Sequence, residues 1–114
     1  MKKLIVFTIF FCSCIFSCKY GVTMNIDNTT NDLITNIKVT NGFNEVHIDT
    51  LKGKTTKELF LDFKSNNTKA DGAFEISFKR NLKRESQKFD YYSNGIPSVE
   101  SYEIVIKNDT VIVR

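Results

Sequence analysis

The chain has 114 residues, 16 basic and 13 acidic side chains, three cysteines and no tryptophan. Such a length supports one hydrophobic core and not two. A formal net charge of only +3 excludes the dense cationic surface on which nucleic-acid binding depends.

Met1-Lys2-Lys3 is a short basic start, and Leu4 to Phe11 is an apolar run broken only by Thr8. A charged start, an apolar stretch and a small residue before a cleavage point are the parts of a secretory signal peptide. The apolar segment from Leu4 to Ser17 falls short of the roughly 20 residues that a transmembrane helix needs. Ile15-Phe16-Ser17-Cys18 resembles the lipobox of bacterial lipoproteins, with the bulky Phe16 as its one departure. The resemblance implies cleavage after Ser17, a diacylglyceryl group on the Cys18 thiol and acylation of the new amine. Residues 1–17 are then a lipoprotein signal peptide and residues 18–114 the mature domain. The membrane partner is reached through the lipid, because several acyl chains hold far longer than one. Absence of an aspartate or an acidic run after Cys18 implies, by the same resemblance, an outer membrane facing the periplasm. A metal site built on Cys12, Cys14 and Cys18 would lie inside the leader, far from His47, so no metal or cofactor is expected. With Lys2 and Lys3 gone, 14 basic residues face 13 acidic ones and the mature domain is nearly neutral.

Beyond Cys18 the linker is minimal, which places the domain close to its membrane. Val22, Met24 and Ile26 alternate with polar residues, the mark of a strand with one buried and one wet face. Leu33, Thr35, Ile37 and Val39 share the next face, and Asn41-Gly42 is a favoured turn pair. Val46 and Ile48 follow, then Leu59, Leu61 and Phe63, then Phe74, Ile76 and Phe78 after a polar loop from Lys64 to Asp71. Phe89 and Tyr91 are expected to face inward together, up to the turn at Ser93-Asn94-Gly95. Tyr102, Ile104 and Ile106 form another strand, and Asn108-Asp109 turns the chain into Val111 and Val113. The pattern predicts an all-β single domain: an antiparallel β-sandwich of about 7–8 strands, immunoglobulin-like or transthyretin-like in architecture. A small barrel is the alternative.

His47 shares a wet face with Asp49 and reads as solvated; no nucleophile elbow accompanies it. Lys79, Arg80, Lys83 and Arg84, followed by Lys88, form the sharpest charge cluster. They suit a solvated hairpin end, or a docking patch for an acidic partner or anionic headgroups. Tyr92, opposite the expected inward face, and Phe43, beside Gly42, are the candidate exposed aromatics for a protein interface or a sugar ring. Phe60 is a further candidate for exposure. Asp49-Thr50-Leu51 and Asp109-Thr110-Val111 resemble a bacterial O-glycosylation signal.

These readings favour a non-enzymatic protein-binding lipoprotein of the cell envelope, an immunity or inhibitor protein being its most specific form. A carbohydrate-binding or surface-structural subunit is the second possibility. No catalytic residue, cofactor or nucleic-acid partner is expected.

Overall fold

A computed structural model describes residues 20–64 and 69–114. The segment expected to be a signal peptide, the lipobox-like Ile15–Cys18 with its expected acylation site, and the middle of the polar loop lie outside the described residues.

Alternating sequence becomes alternating burial. In β1 (Gly21–Asn28), Val22, Met24 and Ile26 are fully buried while Asn25 is exposed. The other described strands are β2 (Ile34–Thr40), β3 (Glu45–Leu51), β4 (Thr55–Asp62), β5 (Gly72–Arg80), β6 (Lys83–Tyr92), β7 (Ser101–Ile106) and β8 (Val111–Val113). They form two four-stranded sheets, ordered β4-β1-β7-β8 and β3-β2-β5-β6. The expected sandwich is present, with one correction: β1 and β7 run parallel, so the first sheet is mixed. β1 lies between β4 and β7, whereas in an immunoglobulin constant domain it would lie beside β2. The strand order is therefore not that of an immunoglobulin constant domain.

The core fills the space between the sheets. Ile26, Leu61 and Ile104 come from one inner face, and Ile37, Ile76 and Phe78 from the other. At one end the filling is aromatic. Phe63 meets Tyr92 edge-on at 5.0 Å, Phe74 meets Tyr102 at 5.2 Å, and Phe74 stacks on Phe89 at 5.5 Å. Such pairs contribute about 0.5–1.5 kcal/mol each beyond their area.

Two buried asparagines close the sandwich ends. The Asn28 amide donates to the carbonyls of Asp32, Leu51 and Lys52, and its Oδ1 accepts from the Thr30 amide and hydroxyl. Asn41, at the other end, accepts from the Phe43 and Asn44 amides and donates to the Asp62 carbonyl. Each satisfies loop groups that would otherwise be buried without partners.

Two β-bulges reset the alternation. The β2–β5 register shifts between Thr35 and Lys38, where Asn36 has φ 49°. Ile34 therefore joins Ile37 and Val39 inside, and Leu33, expected in the core, is exposed. The β5–β6 register shifts at Asp90, which has φ 51°. One extra residue moves every later side chain to the opposite face.

Candidate functional site

The strand directions define two poles. At the near pole lie Tyr20, the start of β5, the end of β6 and the loops Asn41–Asn44 and Ser93–Glu100; the Phe63 amide bonds the Tyr20 carbonyl at 3.0 Å. At the far pole lie the end of β5, the start of β6 and the β7–β8 turn, where the Lys107 amide bonds the Thr110 carbonyl at 2.9 Å. The nine residues of β5 separate the poles by about 25–30 Å at ~3.3 Å per residue.

The basic cluster is a hairpin end, as its composition suggests. Arg80 pairs with Lys83, and Asn81-Leu82 is the two-residue loop between them. Both loop residues have positive φ, 52° and 65°, the signature of a type I′ turn. This turn normally takes glycine at its second position, because a side chain there crowds the backbone. Leu82 occupies it and is 99% exposed. Its side chain packs on nothing, yet holds an unfavourable backbone conformation. Sequence reasoning passed over it, although a lone leucine between Arg80 and Lys83 was the available signal.

The four cations divide. Lys79 and Arg84 sit directly across from each other on the outer face, and Lys83 is exposed at the loop. Among the described residues no ion pair engages any of the three, and like charges directly opposed across strands repel. Arg80, expected in the exposed patch, is 6% exposed. It continues the inward run of Phe74, Ile76 and Phe78. Its Nε donates to Glu85 at 2.9 Å and its Nη1 to the carbonyls of Lys107 and Asn108 at 2.5 and 2.8 Å. The guanidinium also lies 5.5 Å from the centre of the Phe78 ring. Arg80 thus clasps the β5–β6 hairpin to the β7–β8 turn across the two sheets, and is removed from the contact surface.

The aromatic prediction is reversed by the Asp90 bulge. Tyr92 is buried at 5% and Tyr91 is 75% exposed. The Tyr92 hydroxyl donates to the Asn41 carbonyl, and its ring lies over Gly72, where a Cβ would collide with that hydroxyl. Burial pushes the Tyr92 phenol up from its ordinary value. Phe43 is at the edge of exposure, held edge-on against Phe63 at 5.5 Å. Phe60 is half-buried.

The bulged Asp90 carries a second tie between the sheets. Its Oδ2 accepts from the buried Tyr102 hydroxyl on β7, and its Oδ1 accepts from the Tyr91 amide at 2.8 Å. Both bonds hold the Asp90 carboxyl below its ordinary value. Tyr102 is pushed well above its own, by burial first and then by the hydrogen bond and charge of Asp90.

Ser86, Ser77, Lys38 and His47 stand in register across the outer face of the second sheet. Ser77 is buried, but its hydroxyl bonds to no group among the described residues. Neither Lys38 nor His47 is therefore poised as its base. Lys38 instead lies 3.7 Å from Glu45, and the exposed His47 lies 3.4 Å from the same carboxylate. No group of metal-ligating side chains forms among the described residues. Thr50 and Thr110 of the two glycosylation-like triplets are both exposed, whereas Asn28 of an Asn-x-Thr triplet is buried.

No protein-family model and no curated protein matches the chain. Among solved structures it is similar in fold to one described as the NMR structure of the protein from Eubacterium rectale, at 18% identity and a TM-score of 0.59, over 84% of this chain and 88% of that one.

Proposed function

We propose that the protein is a lipid-anchored envelope module that binds another protein through the tip of the β5–β6 hairpin. The observation that carries this reading is Leu82, fully exposed in a left-handed conformation and flanked by Lys79, Lys83 and Arg84 with no ion-pair partners among the described residues. An exposed apolar anchor within uncompensated positive charge complements a protein surface with a small hollow rimmed by carboxylates. Maintained backbone strain of this kind concentrates at sites of contact.

An anchor at Cys18 would put the near pole at the membrane, leaving the hairpin tip about 25–30 Å out. That is well beyond the ~8–10 Å over which headgroup charge is felt. Of the two targets for the basic patch, an acidic protein is favoured over anionic lipid. The β6 edge is not suited to strand addition. Lys83, Arg84, Lys88 and the Asp90 bulge are devices that block edge pairing, so docking is through side chains. In its most specific form the module is an immunity or inhibitor protein, by analogy with other small anchored domains.

A photo-crosslinking residue at position 82, compared with one at Asp49, tests the reading in intact envelope. One adduct of discrete mass is expected at 82 and none at 49, abolished by Lys83→Glu with Arg84→Glu and weakened by salt. A folded protein giving no adduct at 82 rejects it. The second reading, carbohydrate binding, is supported by the exposed Tyr91, whose ring face is open for stacking. It requires that Tyr91→Ala, and not Tyr92→Ala, abolish glycan retention.

A further inference from the structure

The near pole carries a second surface. Tyr20 stands between two hollows: one of about 480 Å³ lined by Phe63, Lys69, Gly95 and Ile96, the other lined by Pro97, Val99 and Glu100. Ile96 is 57% exposed, and Tyr20, Val99 and Phe43 are also open. Phe43 is fixed by its edge contacts with Phe63 and Tyr92. The four form an apolar fringe around the point where the described chain begins.

Only Lys19 separates Tyr20 from Cys18. Two residues reach about 7 Å at full extension. That tether is too short to hold the pole clear of a headgroup layer into which apolar side chains settle by about 5–10 Å. We propose that the near pole is seated in the membrane interface, with Tyr20, Phe43, Ile96 and Val99 entering the headgroup region and the hairpin tip facing away. The seat rests on the anchor reading of Cys18. The pole carries no strong excess of either sign, with Lys64 and Lys69 set against Asp62, Asp71 and Glu100, and so fits a lipid surface of no particular charge. Tyr20 suits the boundary itself, with an apolar ring and a polar tip. The seat fixes the orientation of the domain, which a flexible anchor alone would leave free.

The chain contains no tryptophan, so single substitutions report position directly. Ile96→Trp and Leu82→Trp, both at exposed sites, are placed separately in the full chain. Each is expressed with radiolabelled palmitate and purified into phosphatidylcholine vesicles bearing brominated acyl chains. The expected result is label in both proteins, loss of most Ile96→Trp emission and full retention of Leu82→Trp emission. Labelled protein with Ile96→Trp unquenched overturns the seat while leaving the anchor intact. Quenching at both positions overturns the upright orientation. Unlabelled protein overturns the anchor, and the seat with it.

Discussion

Replacing Leu82 by glycine should make the protein more stable while removing its contact point. An L-residue in the left-handed region costs about 1–2 kcal/mol relative to its ordinary conformations, and glycine escapes that cost. Glycine is also freer in the unfolded chain, which offsets about 0.5–1 kcal/mol. Leu82 is 99% exposed, so no burial is lost with its side chain. The net expectation is a gain of about 0.5–1 kcal/mol, or roughly 2–8 °C in Tm for a domain near 100 residues. Leu82→Ala keeps the strain and removes only the exposed branch; its stability should stay within about 0.5 kcal/mol of the parent. Urea titration of the three proteins measures the differences, and crosslinking from a second probe site at the exposed, uncharged Asn81 measures partner binding. Both variants should lose the adduct. A Leu82→Gly protein less stable than the parent would refute the reasoning, because it would mean that the leucine packs in the folded state.

Arg80→Lys should destabilise by about 2–3 kcal/mol, since an ammonium cannot serve Glu85 and two carbonyls together; equal midpoints in urea would remove Arg80 as the inter-sheet clasp. Asn28→Ala removes the side-chain donor to the carbonyls of Asp32, Leu51 and Lys52 and the acceptor for Thr30, and should cost about 1–3 kcal/mol, with faster amide exchange in the 29–33 and 52–54 loops. The Asp90–Tyr102 tie predicts opposite losses at the two pH extremes. Asp90 is depressed in the fold, so its contribution is present above 3.8 and is lost as pH falls through its lower folded value. Tyr102 is raised, so its contribution is present below 10.0 and is lost as pH climbs above that value. Tyr102→Phe should flatten both limbs of the stability–pH curve, and an unchanged acid limb would show that the tie contributes nothing.

Alternation of apolar and polar residues was enough to reveal an all-β chain, eight strands and most of their inward faces, because a half-buried strand repeats every two residues wherever it lies. Turn chemistry was equally local: Asn41-Gly42, Ser93-Asn94-Gly95 and Asn108-Asp109 all turn the chain, and Gly42, Asn94 and Gly95 have the positive φ that such residues tolerate. Alternation failed where one extra residue entered a strand. Nothing in Asn36 or Asp90 announces a bulge, since a bulge is a mismatch with the partner strand and each partner is distant in sequence. Leu33 and Tyr91 therefore went outside, and Ile34 and Tyr92 inside. Arg80 was misplaced for a related reason. Its inward phase was visible, but charge argued for solvent until Glu85 and two carbonyls from the other sheet supplied its partners. Pairing β1 with β7, and setting the hairpin tip and Tyr20 at opposite poles, are long-range choices. They follow from which strands bury one another's apolar faces, a property of the assembled sandwich that no single segment contains.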